Sequence, residues 1–376
     1  MLEEATQIDD AEGRALLPLA RVRRAVSVEA WDVECDVVPG LEAFLARELR
    51  RCHRGRVGQL TDSGRASLRF TFQGSPADLL SLRTAQAAYL ALSFRGRRAG
   101  ALLGHQSLRE LLRRIDVVRS LHPRGTFESF RFGAAGRESA ALRRLAAELE
   151  AQAGLRHDPD DGELLIRVRP SDRGGDGWEA LVRISPRPLS TRPWRVANHP
   201  GALNATVAAA VVDLTQPCPE DHFIDLMCGS GTVLGERLAL CPVAEAVGCD
   251  VSREALNAAR ANLRATPGGR KVRLMESDAT LTGLDMARYT ALCVDLPNGG
   301  AAGQQRPNVA LYPALLEEAA RLAAPGARFV AMTHDQRPFD DGLREAGRRW
   351  ELEHTIRILQ GGQRPLIYVL RRTAGR

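Results

Sequence analysis

From Trp31 the chain alternates apolar and polar positions in WDVECDVV, turns at Pro39-Gly40, and then spaces the leucines and Phe44 of LEAFLARELRRC at helical intervals. This predicts a strand followed by an amphipathic helix. ASLRFTFQG alternates again, and SPADLLSLRTAQAAYLAL reads as a second helix capped by Ser75. A β-α-β-α opening of this kind suits a small ferredoxin-like module over residues 29–94. Residues 95–187 predict another α/β unit. SLRELLRRIDVV is a helix, TFESFRFGA a strand, ESAALRRLAAELEAQAG a helix ended by Gly154, and GELLIRVRP and GWEALVRIS two paired strands. Residues 1–28 lack periodicity and read as a flexible tail. The stretch PRPLSTRPWRVANHP has four prolines and few helix formers, so residues 188–198 read as a linker.

Residues 199–376 change rhythm. A helix in ALNATVAAAVVDLT leads to a strand in HFIDLMCGSG, then TVLGERLAL (helix), EAVGCDVS (strand), REALNAARANLRA (helix) and KVRLMESDAT (strand). TALCVDLPNGG (strand), LYPALLEEAARLA (helix) and ARFVAMTHD (strand) continue the alternation, and WELEHTIRILQGGQRPLIYVLRR closes with two strands joined at Gly361-Gly362. Such alternation predicts a doubly wound, mostly parallel Rossmann-like sheet that holds ligands along its carboxyl edge.

Charge sharpens the division. The net charge is +6 and Lys271 is the only lysine. Residues 1–198 hold 32 arginines against 26 acids, whereas 199–376 hold 20 basic and 20 acidic residues. All the excess lies in the first part, as expected if that part meets a polyanion. Arg95, Arg97, Arg98, Arg109, Arg113, Arg114 and Arg124 fall within thirty positions and are candidates for phosphate contact, giving salt-sensitive binding of weak sequence preference. Seven cysteines without CxxC spacing point to reduced thiols, not disulfides or a zinc site. No apolar run approaches the roughly 20 residues of a membrane span, and the start lacks a signal-peptide pattern. The expectation is a cytoplasmic chain with no metal, no membrane contact and no obligate protein partner.

The candidate chemistry sits at strand ends. DLMCGSGT puts Asp225 ahead of Gly229 and Gly231 at a strand-to-helix turn, where glycines let the backbone pass close to a ligand and the helix offers free N–H groups. A pyrophosphate would find Asp225 repulsive, but an α-ammonium group would be attracted, which disfavours a nicotinamide oxidoreductase. Acids recur at the next strand ends: Asp250, placed for ribose hydroxyls, then Asp278 and Asp295. Each alone could be a turn former. Four on successive strands suit a cationic ligand with an amino-acid part, a ribose and an adenine, namely S-adenosylmethionine.

DLMCGSGTVLGE, CDVS, SDAT, VDLPNG, the closing LQGGQRPLIYVLRR, the opening ECDVVPGLEAFLARELR and the joining PLSTRPWRVANHPGALNATVAAAVV together resemble the THUMP-domain class I methyltransferases that methylate guanine N2 in tRNA, and their ribosomal-RNA relatives. The resemblance covers about residues 31–372. It implies a THUMP-like RNA-binding domain over 95–187 and a methyltransferase domain over 199–376. It implies that Asp225, Gly229 and Gly231 hold the methionine part of S-adenosylmethionine, Asp250 the ribose and Asp278 the adenine, that Cys228, Thr232 and Asn204 belong to the same cofactor site, and that Pro200, Leu203 and Asn204 flank it. RNA, tRNA above all, would be the partner, gripped chiefly at the acceptor end.

An exocyclic guanine amine is a poor nucleophile, so its transfer site needs acceptors that align the nitrogen and stabilise developing charge. The resemblance assigns this to Asp295 and the Leu296 carbonyl, with Pro297 fixing the turn. The cysteines need no catalytic role; Cys228 and Cys293 read as buried filler. Asn298 departs from the family, which carries an aromatic there to stack on the base; stacking contributes roughly 1–3 kcal/mol per base. Tyr312 or His334 are the candidates to supply another plane. A catalytically inactive RNA-binding protein of the same fold is the alternative reading.

Overall fold

The computed structural model describes residues 29–297 and 308–374, apart from residues 97, 137 and 172–176. The tail 1–28, Arg97 and Asn298 lie outside the described residues.

The first part is built from β1 (Ala30–Val37), α1 (Glu42–Cys52), β2 (Thr61–Asp62), β3 (Ser67–Gln73), β4 (Ala85–Arg95), α2 (His105–Ser120), β5 (Ser129–Gly133), α3 (Ala140–Ala153), β6 (Arg156–His157), β7 (Leu164–Pro170) and β8 (Gly177–Arg183). All eight strands share one sheet in the order β2-β3-β1-β4-β8-β7-β5-β6. The continuity comes from β4, which pairs antiparallel with β1 on one side and with β8 on the other.

The expected helix over 75–92 is therefore a correction. Ser75 does cap, its hydroxyl accepting from the Ala77 N–H, but only a 3₁₀ turn over Pro76–Ser81 follows, and Ala85–Arg95 is strand. Its alanines and leucines are buried on both faces, and a strand covered on both sides loses the two-residue alternation that marks one exposed face. Tertiary pairing overrides the helix preference of alanine here. Elsewhere the patterns hold: α3 ends at Gly154 in the left-handed conformation, φ 63°, and β7 pairs antiparallel with β8.

The second part runs α4 (Ala205–Leu214), β9 (His222–Asp225), α5 (Thr232–Leu240), β10 (Glu245–Asp250), α6 (Arg253–Arg264), β11 (Arg273–Glu276), β12 (Tyr289–Asp295), α7 (Asn308–Leu322), β13 (Ala323–Thr333), α8 (Gln336–Ala346), β14 (Trp350–Arg357) and β15 (Leu366–Arg372). The sheet order is β11-β10-β9-β12-β13-β15-β14, parallel from β11 to β13, with β15 antiparallel to both its neighbours. The order reverses between β9 and β12, the position at which open α/β sheets open a crevice. Residues 291–294 of β12 are fully buried, as a central parallel strand demands. Helix α8 was not evident in the sequence. Its stretch is polar and contains Pro338 and Gly342, and it buries Phe339, Gly342 and Ala346. A Cβ on Gly342 would stand 3.3 Å from the Pro313 nitrogen, so the glycine lets α8 approach α7 closely.

The two sheets are joined by a polar lock over a shared apolar core that includes Leu45 and Leu79 on one side and Val207, Val211 and Val233 on the other. Glu236 of α5 is fully buried and accepts from Arg83 Nε at 2.7 Å and from Arg192 Nε at 2.8 Å. Arg192, from the joining segment, also donates to the carbonyls of Leu189 and Arg83, both at 2.6 Å. Arg47 and Arg51 of α1 pair with Asp213 of α4. The β14–β15 hairpin tip reaches back as well: the Leu359 N–H donates to the Pro39 carbonyl at 3.0 Å. Gly40, φ 97°, lies so close that a Cβ would sit 2.2 Å from the Arg357 carbonyl.

Candidate active site

The crevice is built where β9, β10, β11 and β12 end. Strand β9 finishes at Asp225, and the chain then turns: the Leu226 N–H donates to the Cys293 carbonyl at 3.0 Å, and the Cys228 N–H to the Cys249 carbonyl at 2.8 Å. Gly229 (φ 51°) and Gly231 (φ 80°) are both left-handed but for different reasons. A Cβ on Gly231 would press on Ala259 of α6 at 3.3 Å, so that glycine serves helix packing. A Cβ on Gly229 would meet nothing within 4 Å, so it faces open space, the side from which a ligand can approach.

Four acids stand at or just past the ends of these strands. Asp225 is 1% exposed, and its Oδ1 is buried with no hydrogen-bond partner among the described residues. Burial, then the Asp295 and Asp250 charges, push its carboxyl well above the usual range. Asp250 accepts from the Gly229 N–H and the Ser252 N–H, each at 2.8 Å, which fixes both oxygens yet leaves lone pairs free for hydroxyl donors. Asp278 is exposed and accepts from the Thr280 N–H at 2.8 Å and the Thr280 hydroxyl at 2.7 Å; these bonds hold its carboxyl below the usual range. Asp295 ends β12 directly opposite Met332 of β13, half-buried, and burial pushes its pKa up to about 7. Converging carboxylates with a partnerless buried oxygen create demand for a cation.

The thiols play another part. Burial foremost, and then the Asp225 charge, push Cys228 and Cys293 well up and Cys249 to about 12, so none is a thiolate near neutrality. The Cys228 sulfur packs 3.0 Å from where a Gly248 Cβ would stand, and its thiol donates to the Gly229 carbonyl at 3.8 Å.

The remaining expected residues fall as follows. Thr232 is the first residue of α5, and its hydroxyl accepts from Arg195 Nη2 at 2.5 Å. Asn204 caps α4, its Oδ1 accepting from the Thr206 N–H at 2.9 Å and the Thr206 hydroxyl at 2.8 Å, so that oxygen is committed to the helix start. Leu296 is buried and its N–H donates to the Met332 carbonyl at 2.9 Å; Pro297 beside it is exposed. Tyr312 is fully buried in the core against Phe339 and cannot offer a face to a base, which removes one candidate plane. His334 lies just past the end of β13 on the same edge as Asp295, and burial lowers its pKa. Among the arginines, Arg95, Arg98 and Arg109 are exposed. Arg113 lies over the Trp31 ring at 4.9 Å and pairs with Glu29, while Arg114 is drawn inward to the Ala91 carbonyl at 3.1 Å and to Glu110 at 2.9 Å. Those two arginines brace their own unit.

Sequence reading missed the strap that holds the glycine turn. Asn262 of α6 is fully buried; its Oδ1 accepts from the Val196 and Ala197 N–H groups, each at 2.8 Å, and its Nδ2 donates to the Ala197 and Ser230 carbonyls, each at 3.0 Å. The signal was present: an asparagine on the same helical face as Leu256, Ala259 and Leu263 is a buried polar group that must find partners. Trp194 packs its ring on α5, where a Cβ on Gly235 would come within 2.9 Å of it.

With this geometry in place, comparison with known proteins gives a consistent picture. The family model for UPF0020, an RMKL-like methyltransferase domain, matches residues 192–365. Mouse tRNA (guanine(6)-N(2))-methyltransferase THUMP3 is 29% identical over 227 residues, 57% of this chain and 44% of that protein. The tRNA (guanine(6)-N2)-methyltransferase of Methanocaldococcus jannaschii is 22% identical over 219 residues, 48% of this chain and 57% of that one. The chain thus spans about half the length of the curated relatives it matches. The crystal structure of TrmN from Thermus thermophilus superposes with a TM-score of 0.71 at 24% identity, covering 92% of this chain and 100% of that one, so the two share a fold through both sheets. The acid-rimmed crevice of the second sheet lies within residues 192–365, the stretch that matches the model for an RMKL-like methyltransferase domain, and the chain shares its fold with TrmN.

Proposed function

We propose that the protein transfers a methyl group from S-adenosylmethionine to the exocyclic N2 amine of a guanine in tRNA. The observation that carries the reading is Asp295-Leu296-Pro297 at the tip of β12, beside a carboxylate cluster whose innermost member, Asp225, has a buried oxygen without a partner. S-adenosylmethionine supplies a methyl group on a positively charged sulfur. Asp225 would accept from its ammonium group, Asp250 from its ribose hydroxyls and Asp278 from its adenine amine, while Gly229 keeps the approach clear. The Asp295 carboxylate would accept one N–H of the guanine amine and the Leu296 carbonyl the other, turning the nitrogen lone pair toward the donor and stabilising the charge that develops on it.

The first sheet, with its excess of arginine and exposed Arg95, Arg98 and Arg109, would grip phosphates and set which nucleotide reaches the crevice. The names of the mouse and archaeal relatives favour tRNA over ribosomal RNA as the substrate. Incubating the protein with unmodified tRNA and methyl-labelled cofactor, followed by digestion to nucleosides, tests the assignment. Label is expected in N2-methylguanosine; label in another nucleoside, or none above background, removes it.

A pH dependence follows from Asp295. Its carboxyl must be ionised to stabilise the positive charge that develops on the amine, and burial holds the pKa at about 7. The ionised fraction therefore grows as pH rises through 7. With cofactor limiting, kcat/KM reports the free enzyme and is expected to climb about tenfold per pH unit below that point and level off above it. A profile flat from about pH 5.5 to 8.5 would deny Asp295 this role.

A further inference from the structure

Asp225 answers only half of an amino-acid ligand. An α-amino acid carries an ammonium and a carboxylate on one carbon, so a site that meets the first with Asp225 leaves the second to be matched. A cation is bonded to the residue that follows the glycine turn. Arg195 comes from the segment joining the two sheets and bridges the starts of two helices, its Nη2 donating to the Leu203 carbonyl at 2.6 Å, just before α4, and to the Thr232 hydroxyl at 2.5 Å, at the first residue of α5. Thr232 directly follows Gly231, so the guanidinium holds the residue just after the glycine turn that Asp225 precedes.

Arg195 has the same peculiarity as Asp225 with the opposite sign. Its Nε is buried and makes no hydrogen bond, and it has no carboxylate in ion-pair contact among the described residues. Glu236, the acid whose field reaches it, is already taken by Arg83 at 2.7 Å and Arg192 at 2.8 Å. Arg195 is half-buried, and burial lowers its pKa although the Glu236 charge works the other way. Buried charges are ordinarily paired, because desolvation without a partner is costly. Here an acid with an unpartnered buried oxygen begins the glycine turn, and a cation with no carboxylate in ion-pair contact among the described residues holds Thr232 just after it, at the start of α5, where free N–H groups favour negative charge.

We infer that Arg195 binds the α-carboxylate of the cofactor's amino-acid part, so that Asp225 and Arg195 clamp a zwitterion across the glycine turn. The inference rests on the cofactor reading above and assigns a ligand contact to the joining segment. Because that segment also carries Arg192 and Trp194, which seat it on Glu236 and Gly235, the same strap that orients the two sheets would help close the cofactor site.

Calorimetry with three ligands tests it: S-adenosylhomocysteine, its decarboxylated analogue, and 5′-methylthioadenosine, which lacks the amino acid. Wild type is expected to prefer S-adenosylhomocysteine over the decarboxylated compound by about 10- to 100-fold, the range of a charge-assisted hydrogen bond. Arg195→Gln is expected to erase that preference while changing 5′-methylthioadenosine binding by less than about threefold. Arg195→Lys, which keeps the charge and a donor for Leu203 and Thr232, should retain part of it and guards against a misfolded glutamine variant. A wild type that binds both compounds equally, or an Arg195→Gln protein that weakens all three ligands alike, reduces Arg195 to a brace and overturns the inference while leaving the cofactor reading intact. A wild type that binds none of the three ends both.

Discussion

Asp295→Ala is expected to lower single-turnover methyl transfer to tRNA by about 10²–10³-fold, the range seen when one preorganised partner of a transition state is removed. The carboxylate meets charge that appears only as the nitrogen attacks, so its loss should fall on the chemical step. Cofactor affinity should behave differently. The Asp295 charge raises the Asp225 pKa, so removing it leaves Asp225 more readily ionised and S-adenosylhomocysteine binding unchanged or slightly tighter. Asp295→Asn keeps an acceptor oxygen and should fall between wild type and alanine. Transfer at the wild-type rate, or a loss matched by an equal loss of S-adenosylhomocysteine binding, would place the catalytic contact elsewhere.

The second large effect concerns stability. Glu236→Ala is expected to destabilise the folded chain by about 3–5 kcal/mol, the usual consequence of removing one member of a buried charge network. Arg83 and Arg192 would then face each other across the joint between the sheets with no carboxylate, and Arg83 already has a buried Nη2 without a partner. The urea midpoint reads the loss. Replacing all three residues with apolar side chains of similar volume should recover much of it, since the cost lies in the unpaired cations and not in the absence of an ion pair. A Glu236→Ala protein as stable as wild type would mean that water solvates this joint.

The second sheet was legible because its information is local. Buried parallel strands are short apolar runs, each ending in an acid, and the glycine turn lies between one of them and its helix, so Asp225, Asp250 and Asp295 could be placed from spacing alone. The first sheet was harder. Its unity depends on β4 pairing with β8, Tyr89 opposite Arg183, and no local pattern announces partners so far apart. The same distance hid the strap: Asn262 meets Val196 and Ala197 more than sixty positions away, and Arg195 meets Thr232. Tyr312 misled for the opposite reason. It lies near the motif in sequence, but helix α7 turns it into the core. Arg114 shows why polar-face arginines read poorly one at a time, since a long side chain can fold back on its own unit to satisfy a strand carbonyl.

On the proposed function, carboxylates at neighbouring sheet tips receive a sulfonium nucleoside in the crevice of the second sheet. Titrating the purified chain with S-adenosylhomocysteine and, in parallel, with NADH tests it most directly. One molecule of S-adenosylhomocysteine is expected to bind per chain, more weakly after Asp225→Ala, with no NADH bound. Binding of NADH that S-adenosylhomocysteine cannot displace, or S-adenosylhomocysteine affinity indifferent to Asp225, would contradict it.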